Sequence, residues 1–150
     1  MIGPASMAPA VCTTLGRMDV DALCEAYWNH YRCFTSSDRD QRLREAESEW
    51  ADEFVDEFIG RGGDQPTDDV PAPVELLVAL AERAPDLGAL AFLGAGPIED
   101  LPRGGAVDID DIETAATGSE AFRTALRCAW FDSFLPTADT ARLRRFGEPL

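Results

Sequence analysis

Lysine is absent from this chain of 150 residues. All 13 basic side chains are arginine, set against 28 Asp and Glu, for a net charge of −15. That bias reads first as genomic base composition and second as a use of the planar guanidinium. Proteins grip nucleic-acid phosphates with Lys and Arg that displace counterions. A chain with a pI near 4.2 lacks that grip, so no nucleic-acid partner is expected and a basic protein partner is favoured. The plain alternative is that the acidity serves solubility.

Other absences narrow the chemistry. Histidine occurs once, at His30, so any Ser-His-Asp or Cys-His centre would have to use it. Cys33 follows closely, but no sharp nucleophile turn accompanies the pair, and a structural or edge-exposed histidine is expected. The four cysteines, Cys12, Cys24, Cys33 and Cys128, form no C-x-x-C pair. Reduced thiols are expected, with no zinc or other metal site and no cofactor. No apolar run approaches the length of a membrane span. The N-terminus lacks a basic region followed by an apolar core, so no secretory signal is expected and the location reads as cytoplasmic. No convincing strand alternation occurs anywhere in the chain.

What is present suits a globular, all-α protein. Hydrophobic residues make up 45% of the chain, enough for a core despite the charge. Residues 1–17 are rich in small and turn-forming residues and read as a flexible tail. Residues 18–150 read as a single domain of about six or seven helices, with a helical hairpin at its centre.

The first helix is expected from about Val20 to Phe34, capped by Asp19. A second, unbroken helix is expected from Asp38 to Ile59. Its core stripe would be Leu43, Ala46, Trp50, Phe54 and Phe58. Residues 45–57 hold seven acids and no base. Glu45, Glu49, Asp52 and Asp56 fall within about 60° of arc opposite that stripe, at about 100° per residue, whereas Glu57 falls near the stripe itself. Like charges so spaced cost a few tenths of a kcal/mol per pair, a cost that an arriving cation would relieve.

Residues 61–73 read as a polar loop. A largely buried helix follows from Pro73, then a turn at Ala84–Asp86 and a helix from Leu87 to Leu93. Gly94, Gly96 and Pro97 are expected to break that helix. Asp108 or Asp110 would cap a helix to about Ala116. Ser119 would cap the next, burying Phe122, Ala125, Leu126, Ala129 and Trp130. A short final helix would carry Arg142, Arg144 and Arg145.

The hairpin running into Gly94-Ala95-Gly96-Pro97-Ile98-Glu99-Asp100, with Ile112-Glu113, Phe122-Arg123-Thr124-Ala125-Leu126 and Trp130, resembles a family of small bacterial domains of unknown function. The resemblance covers residues 74–130 and implies a small bacterial α-helical domain. It implies no chemistry.

Three functional expectations follow. Glu45, Glu49, Asp52, Glu53 and Asp56, with Glu99 and Asp100, could bind a basic protein, as immunity-like or antitoxin-like inhibitors mimic phosphates. The plain reading of the same residues is a solvated face. Alternatively, Glu49-x-x-Asp52 and Glu53-x-x-Asp56 resemble the acidic elements of Mg²⁺-dependent all-α nucleotide hydrolases. That reading needs a second acid pair, for which Asp110-x-x-Glu113 is the visible choice. The third reading is a subunit of a larger helical assembly, which would expose an apolar patch.

Overall fold

The computed structural model describes residues 19–60, 71–104, 107–131 and 135–147. The expected tail at 1–17 and most of the polar loop at 61–73 lie outside them. Every regular element among the described residues is helical, and none is a strand. The α-helices are α1 (Val20–Thr35), α2 (Arg39–Leu43), α3 (Glu45–Gly60), α4 (Pro73–Glu82), α5 (Leu87–Leu93), α6 (Ile109–Gly118), α7 (Glu120–Leu126) and α8 (Thr137–Arg144). No helix among the described residues is long and apolar enough to cross a membrane. The backbone divides into two compact units, one holding residues 19–57 and the other 58–60 and 71–147.

In the first unit, Asp19 Oδ1 accepts from the Ala22 amide at 3.0 Å and starts α1, supplying one of the donors a helix N-terminus leaves orphaned. Leu23, Cys24, Tyr27, Trp28, Tyr31 and Cys33 are buried. Their aromatic rings meet edge to face, Tyr27 on Trp28 at 4.9 Å and Trp28 on Tyr31 at 5.7 Å, the arrangement that ring quadrupoles favour. Phe34, expected on the core face, is exposed.

The single helix expected from Asp38 to Ile59 is two. Asp38 caps α2 through Oδ1, and the chain turns at Arg44 (φ −83°, ψ −7°) before α3 begins. The buried line on α3 is Ser48, Ala51, Val55, Phe58 and Ile59, while Leu43 and Ala46 are exposed and Trp50 and Phe54 half-buried. The core therefore takes Ala51 and Val55 in place of the larger Trp50 and Phe54 beside them, while Phe58 is buried as expected. That turns the helix by roughly a quarter-circle from the expected setting, since neighbours differ by about 100°. Glu45 and Asp52 come to the edge of the buried face.

In the second unit, Pro73 opens α4 at its first turn, where a missing amide proton costs nothing. Asp86 Oδ1 accepts from Ala89 and opens α5. The expected break after Leu93 is absent. Gly94–Ile98 continues as one turn of π-helix, then Leu101–Gly104 as a 3₁₀ turn. Pro97 cannot donate to an α-helical ladder; the wider turn carries the chain past it. Gly94 lies so close to α7 that a Cβ there would overlap the Ala125 carbonyl oxygen and come within 3.0 Å of Cys128 Cβ.

Helix α7 packs on α4, α5, α6 and the π turn, and buries Phe122, Ala125 and Leu126. Ser119 joins α6 to α7 alone. Its amide donates to Ala115 O, and its Oγ accepts from the Phe122 amide at 3.2 Å. Helix α7 ends at Leu126, earlier than expected, and Trp130 is 66% exposed. Its amide donates to Glu99 Oε2 at 3.1 Å, which turns the chain out of the helix.

Candidate functional site

The first unit draws its sole histidine and two of the expected acids together. On α1, Tyr27 and His30 lie three residues apart, and so share a face. On α3, Glu45 and Asp52 lie two turns apart. His30 Nε2 is 3.9 Å from Glu45 Oε1 and 3.9 Å from Asp52 Oδ2. Both separations exceed hydrogen-bond length. His30 is only 7% exposed and stacks on Phe34 with ring centres 6.4 Å apart. Its Nδ1 is buried without a hydrogen-bond partner among the described residues. The two carboxylates are more open, at 34% for Glu45 and 28% for Asp52.

The electrostatics follow from this half-burial. Burial holds Asp52 above the ordinary carboxylate range; His30 opposes the shift, and Glu49 and Glu45 add to it. Burial also pushes the Tyr27 phenol far up, with Asp52 and Asp56 reinforcing it. Both shifts disfavour further negative charge, the expected response of acids crowded at a dry boundary.

The remaining acids of α3 face solvent. Glu49, Glu53, Asp56 and Glu57 are all exposed and span about 100° of the helix at about 100° per residue. Glu57, near the apolar stripe on the expected setting, joins them once the helix is turned. No basic residue occurs in α3. The expected single face of Glu45, Glu49, Asp52, Glu53 and Asp56 is thus two features: an exposed arc, and an inner edge facing His30.

Glu99 and Asp100 lie in the second unit, both half-buried. Glu99 there accepts from Trp130, a task within the fold. Asp110 and Glu113, the second pair a nucleotide hydrolase would need, are engaged by α8. Arg142 donates through Nε and Nη2 to the two Glu113 oxygens at 3.0 Å each and also to Asp110. Arg145 adds a bond to Glu113 at 3.0 Å. Hydrogen bonds from Arg142, then Arg145, hold Glu113 below the usual glutamate range. Among the described residues, no three His, Cys, Asp or Glu side chains are placed to hold a metal ion. Cys33 and Cys128 are free thiols.

Sequence spacing missed the part played by Tyr27 and His30. The available signal was that both sit one helical turn apart on a face otherwise apolar. No protein-family model matches the chain, and no curated protein or solved structure is similar to it.

Proposed function

We propose that this chain is an acidic, non-enzymatic protein-binding module, and that α3 docks on a cationic partner. One observation carries the reading: the solvent-facing arc of α3 holds Glu49, Glu53, Asp56 and Glu57 with no base on the helix. Carboxylates so arranged repel one another, and a cationic surface would relieve that repulsion while steering association. In its concrete form the module is an inhibitor, immunity-like or antitoxin-like, whose carboxylates stand in for the phosphates a basic enzyme binds. Trp130 and Leu87, exposed in the second unit, give a foothold to a second reading, a subunit of a larger helical assembly.

The test is binding of a fluorescent hexa-arginine peptide at low salt, read by anisotropy. Glu49→Gln, Glu53→Gln and Asp56→Asn together should weaken binding about tenfold or more, an average near 0.5 kcal/mol per exposed pair. A control with the same charge change, Glu75→Gln, Glu82→Gln and Glu120→Gln, should lose far less. Equal losses in the two triples would mean that only net charge matters, and the docking face would be abandoned.

A further inference from the structure

We propose that the cleft between α4 and α6 binds a small amphipathic cation, an apolar, ring-sized body carrying a single protonated nitrogen. The site lies wholly in the second unit and does not depend on the docking reading of α3. Three observations carry it.

The first is the space. A cavity of about 430 Å³ lies beside the first two turns of α4 and of α6. Cavities of roughly 300–1,000 Å³, walled by apolar side chains with a few polar groups, are the usual seats of small ligands. The wall here is Val74 and Val78 of α4, with Ala115 of α6 and Val107 just before it, all half-buried. Its origin is in the sequence, because α4 carries two apolar lines. Leu76, Leu77 and Leu80 enter the core, whereas Val74 and Val78, four residues apart on another face, do not. Helices α4 and α6 pack on one another yet leave that second line open.

The second is charge. Glu75 and Asp111 stand at the rim from different helices, both exposed, and no basic residue lines the cavity. Neither carboxylate makes an ion pair or a side-chain hydrogen bond among the described residues. Asp110, next to Asp111 in sequence, is by contrast held by Arg142. A negative rim over an apolar wall repels anions and suits a cation with an apolar body. Acids in a first helical turn also favour the helix dipole, a role that needs no ligand, and the experiment separates the two.

The third is the balance of donors and acceptors. Thr114 also lines the cavity, and its hydroxyl hydrogen is committed to Asp110 O at 2.8 Å. Its oxygen can therefore only accept. The polar side chains around the cavity, Glu75, Asp111 and Thr114, are thus acceptors with no donor among them. A protonated nitrogen supplies the missing donors, in charge-assisted bonds.

The experiment is a titration of the full ¹⁵N-labelled chain, followed by its amide shifts. The probe is tryptamine, an indole carrying one ammonium. Tryptophol puts a neutral hydroxyl in place of the ammonium, and ethylammonium lacks the ring. Tryptamine should shift the amides of Val74, Val78, Asp111 and Ala115 saturably. Tryptophol should bind the same place about tenfold more weakly, the loss of two exposed charge pairs, and ethylammonium should not saturate. Glu75→Gln with Asp111→Asn should bring tryptamine down to the affinity of tryptophol and leave that of tryptophol unchanged. If the two acids serve only the helix dipole, that variant loses stability while the difference between the probes survives, and the proposal is overturned. Equal binding of tryptamine and tryptophol to the parent also overturns it, since the carboxylates would then take no part. So does ethylammonium binding as tightly as tryptamine, or displacement of tryptamine by hexa-arginine, because charge alone would then be read. Absence of saturable shifts in the cleft at millimolar tryptamine removes the site and leaves the α3 face untouched.

Discussion

Replacing Gly94 by alanine should weaken this fold, although Gly94 has ordinary right-handed helical angles (φ −65°, ψ −46°). Propensity alone points the other way, since alanine in a helix is favoured over glycine by about 1 kcal/mol. The obstacle is the Ala125 carbonyl oxygen, which an added methyl would overlap, with Cys128 Cβ behind it. Neither is the end of a flexible side chain, so the π turn and α7 must separate. Overpacking of this kind costs about 1–3 kcal/mol. Subtracting the propensity gain leaves a net loss of up to about 2 kcal/mol, or up to about 8 °C in Tm for a chain of this size. Gly96 supplies the comparison: it belongs to the same turn, and a Cβ there meets nothing within 4 Å. Gly96→Ala should be stabilising by about 0.4–1 kcal/mol. Urea unfolding followed by circular dichroism would measure both variants. A Gly94→Ala midpoint at or above that of the parent would refute the packing argument. If Gly96→Ala lost as much as Gly94→Ala, glycine would serve the π turn itself and not the close approach.

Two further outcomes concern pH. Asp52 binds its proton more tightly folded than unfolded, so its contribution to stability falls as pH rises from the ordinary aspartate range through its raised value. Asp52→Asn should therefore be more stable than the parent at pH 7 and lose that advantage near pH 4; an equal difference at both would show that charge is not the cause. Glu113 has the opposite sign, since Arg142 and Arg145 lower its pKa. Its contribution is whole above the ordinary glutamate value and lost as pH falls through the depressed one. Glu113→Gln should be less stable at pH 7, with a shallower loss of stability below pH 4, and thermal melts at the two pH values would test this.

Much of the helical plan was legible because local rules set it. Asp19 and Ser119 are capping residues next to periodic apolar runs, and each caps as its sequence indicates, while Asp86, expected only within a turn, also caps a helix. Helices α1 and α7 begin where expected for that reason. The setting of α3 was not legible. Two apolar lines run side by side on it, Trp50-Phe54 and Ala51-Val55, converging on the buried Phe58 and Ile59, and periodicity cannot tell which one tertiary packing will bury. Choosing the larger residues put Asp52 in full solvent and left His30 without neighbours. The π turn was hidden for another reason: Gly94, Gly96 and Pro97 are helix breakers as residues, and only contact with α7 turns them into a continuation. The expected burial of Trp130 failed because Glu99, far off in sequence, captures its amide.

The corner at Ser119 has a consequence for which lengths of chain the fold tolerates. One residue serves as the end of α6 and the cap of α7, and it is buried. A surface connection absorbs an inserted residue by bulging outward. Here no slack exists, and one added residue would turn α7 by about 100° relative to α6. Phe122 and Ala125 would leave the core, and Gly94 would face a side chain in place of a bare carbonyl. Descendants of this sequence are thus free to drift in composition around that corner, but hardly free to gain or lose a codon there.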